Sequence, residues 1–84
     1  MVEGGLPGRV GVNLRRLRLG LGDTQEQFGR RVGWHRTLVG GVERGERNLN
    51  LRSVERLCAR LGIDPVELLA DPDARPDEEQ PPAR

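Results

Sequence analysis

The stretch spanning residues 25–42, QEQFGRRVGWHRTLVGGV, constrains this chain more than any other. It reads as two short helices joined by a tight turn. Phe28 and Val32 are four apart and share one helical face, while Val39 and Val42 are three apart and share another. Trp34 stands between the two pairs. The faces meet only if the helices cross closely, and a side chain at Gly29 would obstruct that crossing. Gly33 stands at the turn, where a sharp helix-to-helix connection requires positive φ.

Start and stop signals elsewhere add three more helices. Pro7 opens the first, where its missing N–H costs nothing, and residues 1–6 are left as a flexible arm. Val10, Leu14, Leu17 and Leu21 recur at helical spacing, and Gly20 and Gly22 end that helix. Thr24, with Gln27 three residues on, is a capping box for the second. His35 is the N-cap of the third, with Trp34 placed to staple onto Val39, and Gly45 stops it. Asn50 caps a fourth helix whose apolar face is Leu51, Val54, Leu57, Cys58 and Leu61; Gly62 ends it. Asp64-Pro65 is a cap followed by proline at the first helical position, so a short fifth helix runs through Val66, Leu68 and Leu69. No stretch alternates as a strand would. The predicted fold is all-α: five helices in one domain over residues 7–70. Residues 71–84, DPDARPDEEQPPAR, have no apolar periodicity and are predicted to be a disordered acidic, proline-rich tail.

Composition removes several function classes. A chain of 84 residues forms one small domain. One cysteine, Cys58, excludes an intrachain disulfide and reads as a small buried hydrophobe. His35 is the single histidine, so neither a metal site nor a cofactor is expected. No apolar run is long enough to span a membrane, and the first residues lack a signal-peptide layout, which makes a cytoplasmic protein the expectation. There is no nucleophile–base pair and no phosphate-cradling loop, so an enzyme is not expected, and no small-molecule pocket is evident. Charge is divided: residues 1–70 hold 12 Arg against 8 Asp and Glu, a net of +4, and residues 71–84 have a net of −3. A basic body with an acidic tail suits a nucleic-acid binder.

The pieces LRRLR, TQEQFGRRVG, VERGERN, LRSVERLCARLG and IDPVELL together resemble the Cro/phage-repressor (Xre-type) helix-turn-helix family. The run HRTLVGGVERGERN is especially similar to controller proteins of restriction–modification systems. The resemblance implies a five-helix, repressor-like domain acting as a homodimer on a partly palindromic operator in double-stranded DNA. It implies a sequence-specific transcriptional regulator associated with the nucleoid, with residues 36–44 as recognition helix in the major groove. By the same resemblance, Thr24 and Gln25 open the second helix and Gln25 meets a phosphate. His35 lies at the groove edge; Arg36, Thr37 and Leu38 face base edges; Arg47 clamps the backbone. Gly40 and Gly41 replace side chains that reach DNA in relatives and let helix backbone approach it. Arg18 and Glu43 match a structural salt bridge between the first and third helices. Ile63, Val66 and Leu69 are the expected dimer surface. The acidic tail motivates one alternative, an antitoxin-type interaction module that binds DNA to regulate itself.

Overall fold

The computed structural model describes residues 5–73, and among these there are five α-helices: α1 Gly5–Leu21, α2 Gln25–Val32, α3 Arg36–Glu43, α4 Leu51–Leu61 and α5 Pro65–Leu69. Residues 1–4 and 74–84 lie outside that range, so most of the expected arm and tail does too. Each boundary from α2 onward has a chemical cause. Thr24 Oγ1 accepts from the Gln27 amide at 3.1 Å while Gln27 Oε1 accepts from the Thr24 amide at 2.8 Å. His35 Nδ1 accepts from the Thr37 amide at 3.1 Å, Asn50 Oδ1 from Ser53 at 2.8 Å, and Asp64 Oδ1 from Val66 at 2.8 Å. Each satisfies an amide that the first helical turn leaves without a partner.

The core is drawn from all five helices: Val10 and Leu14, Phe28 and Val32, Val39 and Val42, Val54, Leu57 and Cys58, and Leu68. Burial pushes the Cys58 thiol pKa up, which keeps it protonated and inert. Helices α2 and α3 pack on each other and α1 packs on both α3 and α5. Two glycines make these approaches possible. A Cβ on Gly29 would collide with the Trp34 carbonyl, so the constraint comes from the turn that follows α2. A Cβ on Gly11 would lie 2.5 Å from the Val42 carbonyl oxygen and 2.7 Å from that of Glu43. Backbone has no way to swing aside as a side chain does. Gly11→Ala is therefore expected to destabilise the domain by about 1–3 kcal/mol, despite the better helix propensity of alanine, and urea unfolding measures it.

Several expectations are corrected. Helix α1 begins at Gly5, not Pro7, because proline is tolerated throughout a first turn whose amides lack partners. Leu21 is exposed at the overhanging end of α1. Leu51, at the first position of α4, is 82% exposed instead of lying on the core face with Val54 and Leu57. Trp34, by contrast, packs half-buried against the core as expected, and it also lines a groove with Val32, Arg56, Leu57 and Arg60. Residues 71–73 continue the fold: Asn13 Nδ2 donates to the carbonyls of Leu68 and Ala70, both at 2.8 Å, and Arg16 Nη1 donates to that of Pro72 at 2.9 Å. The two Asn13 bonds satisfy carbonyls at the end of α5, and the Arg16 bond holds the first residues of the expected tail to α1.

Candidate nucleic-acid interface

The outer face of α3 begins with Arg36 and Thr37, both exposed. Their orientation is set from behind. Val39 and Val42 are buried on the opposite side, and the bare Cα of Gly29 admits the Trp34 carbonyl that leads into the helix. Gly33, with φ +79°, turns the chain between α2 and α3, and the Trp34 amide donates to the Gly29 carbonyl at 2.8 Å. This region is the expected helical elbow.

One buried carboxylate ties the elbow to α1. Glu43 Oε2 accepts from Arg18 Nε at 2.6 Å, and Glu43 Oε1 accepts from Arg18 Nη2 at 3.0 Å. The two side chains are only 11% and 5% exposed. The hydrogen bonds to Glu43 raise the Arg18 pKa further. Arg18 Nη1 also donates to the Asp23 carbonyl at 3.0 Å, which closes the α1–α2 turn. Glu43 Oε1 accepts a third bond, from Gln25 Nε2 at 3.1 Å, so α1, α2 and α3 share one carboxylate. Asp23, meanwhile, pairs with Arg31 at 2.8 Å, and that bond holds the Asp23 carboxyl below its ordinary pKa.

The expected site residues divide into groups. Thr24, His35, Arg36 and Thr37 are exposed, and Gln25 is half-buried at the first position of α2. Arg47 is exposed in the loop after α3. Leu38 does not stand with Arg36 and Thr37; it is half-buried and packs against the core. Gly40 and Gly41 do not present bare backbone. A Cβ on Gly41 would sit 2.7 Å from Arg47 Cγ, and one on Gly40 would meet the ends of Arg44 and Gln25. Side chains from elsewhere cover both glycines, which are buried as a result. Of the expected dimer residues, Val66 is 69% exposed, and Leu69 lines a groove with Leu51 and Pro65. Ile63 is apart from them, in a groove with Leu17, Leu21 and Leu61.

A family model described as a helix-turn-helix domain matches residues 9–70. The chain belongs to the helix-turn-helix domain family. This helix-turn-helix protein is of the Xre type, and its family is one of DNA-binding transcription regulators, not enzymes. It is 38% identical over 63 residues to a hypothetical transcription factor of Neisseria meningitidis serogroup B. That match takes in 75% of this chain and 59% of the relative. It is 35% identical over 60 residues to the control protein C.BamHI of Bacillus amyloliquefaciens, covering 70% of this chain and 74% of that protein. Among solved structures, the restriction-modification controller protein C.AhdI from Aeromonas hydrophila superimposes with a TM-score of 0.66 at 42% identity. The superposition covers 74% of this chain and 90% of C.AhdI. The helix-turn-helix protein is accordingly a DNA-binding transcriptional regulator. No helix among its described residues is long and apolar enough to cross a membrane, and no group of three or more metal-ligating side chains occurs among them.

Proposed function

We propose that this regulator binds a partly palindromic operator as a homodimer, with α3 of each protomer in the major groove, and acts in the cytoplasm on the nucleoid. The observation that carries the reading is the exposed start of α3. Arg36 and Thr37 stand free on a helix whose opposite face is buried and whose entry is fixed by the Gly29–Trp34 contact. Gln25 and Arg47 flank that face and supply contacts to the phosphate backbone, which position a protein without reading sequence. The Gly40 and Gly41 positions contribute by seating neighbouring side chains.

The dimer face in this reading is the end of the molecule where Leu51 and Val66 are exposed and half-buried Leu69 lines a groove with Leu51 and Pro65. Leu51 joins the two expected residues because its exposure leaves an apolar side chain with nothing above it. A two-fold arrangement through this face sets the recognition helices about 34 Å apart, one turn of DNA. Val66→Glu is expected to raise the dimer dissociation constant roughly 30-fold, about 2 kcal/mol for a residue central to an interface. Folding should be unchanged, since Val66 is exposed in the protomer. Sedimentation equilibrium measures this. A chain that stays monomeric at high concentration contradicts the dimer. DNA binding that barely changes between 50 and 200 mM salt contradicts the reading as a whole, because six or more phosphate contacts cost roughly 10³-fold over that range.

A further inference from the structure

The groove beside the α2–α3 turn is lined by Val32 and Trp34 on one side and by Arg56, Leu57 and Arg60 of α4 on the other. Its volume, about 560 Å³, is more than one side chain fills. Arg56 and Arg60 are one turn apart on α4 and both exposed, and like charges at that spacing repel. A Cβ on Gly33 would lie 3.4 Å from Arg60 Nη1 and 3.7 Å from Nη2, so that guanidinium rests over the turn itself. Neither arginine has a hydrogen bond or ion pair among the described residues. No acidic residue lines the groove. An indole and two unpaired guanidinium groups therefore stand open together, and the chemistry that fits them is an acidic segment with flat apolar side chains.

The chain carries such a segment. Asp77, Glu78 and Glu79 are consecutive, with Pro76 before them and Pro81 and Pro82 after. Prolines restrict the backbone to extended conformations, which lowers the cost of laying a segment into a groove. Extended proline-bearing segments seat readily on aromatic rings. The segment also starts close by. Arg16 Nη1 holds the Pro72 carbonyl at 2.9 Å. Arg16 lines a neighbouring groove with Leu17, Leu61 and Ile63, and Leu61 directly follows Arg60 in α4. Glu79 comes seven residues after Pro72, and seven residues of extended chain span up to roughly 25 Å. We propose that residues 76–82, PDEEQPP, dock in the groove of their own chain, with the carboxylates of residues 77–79 on Arg56 and Arg60 and proline against Trp34. The segment is then a built-in occupant of the surface beside the helix turn, and any partner that uses this surface must displace it.

Trp34 reports on this directly, because the chain has one tryptophan and no tyrosine. The test measures quenching of its fluorescence by acrylamide, a neutral quencher, in the full chain. Exposed ion pairs each shift a docked fraction by at most a few-fold, so the triple change Asp77→Asn, Glu78→Gln, Glu79→Gln should raise the quenching constant about twofold. Added salt should raise it in the unaltered chain and leave the triple variant unchanged. Arg56→Glu with Arg60→Glu should also open the groove, and adding Glu78→Arg with Glu79→Arg should restore protection, which a purely structural role of the arginines would not do. Thermal unfolding of each variant runs in parallel to show that the fold is kept. Protection should be the same over a hundredfold dilution. A quenching constant that the triple change leaves unaltered overturns the proposal, as does a charge swap that restores nothing. Protection that disappears on dilution assigns the groove to the tail of a second copy and overturns docking within one chain.

Discussion

Replacing Glu43 by alanine is expected to cost the domain about 3 kcal/mol. That is the low end of the range for a buried ion pair that loses one partner, chosen because Arg18 keeps a little contact with solvent. The carboxylate accepts three hydrogen bonds from two other helices. Without it, Arg18 retains the Asp23 carbonyl as its one acceptor among the described residues. Arginine cannot shed its proton to escape burial, so the cost falls on folding itself. Total stabilities of small domains start at about 5 kcal/mol, so the variant loses much of its margin. Urea unfolding gives the number. The same argument expects the double change Arg18→Met with Glu43→Leu to be far milder than either single change, because an apolar pair leaves no stranded charge. A Glu43→Ala cost below about 1 kcal/mol would mean that the pair is better solvated than its geometry implies.

The second large effect is on recognition. Arg36→Ala should remove roughly 1–3 kcal/mol of discrimination at one base pair in each half-site, the scale of a bidentate arginine–guanine contact. Arg36 is exposed, and the α3 cap is supplied by His35. Stability should therefore stay within about 0.5 kcal/mol of the starting protein. Binding to a panel of singly substituted duplexes separates the two quantities. A uniform loss across the panel would reassign Arg36 to a phosphate.

The helices were visible in the sequence because their ends are written in local chemistry: Thr24 with Gln27, His35, Asn50, and Asp64 before Pro65 all act within three residues of themselves. The elbow was visible for the same reason, through Gly29, Gly33 and the apolar pairs around them. The surroundings of Gly40 and Gly41 were not. Local reading takes a glycine on a helix face as missing side chain, whereas Gln25, Arg44 and Arg47 reach it from positions up to 15 residues away in the chain. Gly11 escaped notice because a glycine inside α1 looks like an ordinary weak spot until α3 is laid across it. Leu51 and Leu21 carry the right periodicity, yet each lies at the end of a helix that extends past the core. Asn13 had no local signal at all, since its partners are 55 and 57 residues away.

Selection of bound duplexes from a random pool tests most directly whether the exposed face of α3 reads DNA. The account predicts an enriched site of two inverted half-sites, centred about one helical turn apart, with a preferred guanine in each that is lost when the selection is repeated with Arg36→Ala. A pool that stays random after repeated rounds at moderate salt, or an enriched site that Arg36→Ala recovers unchanged, contradicts it.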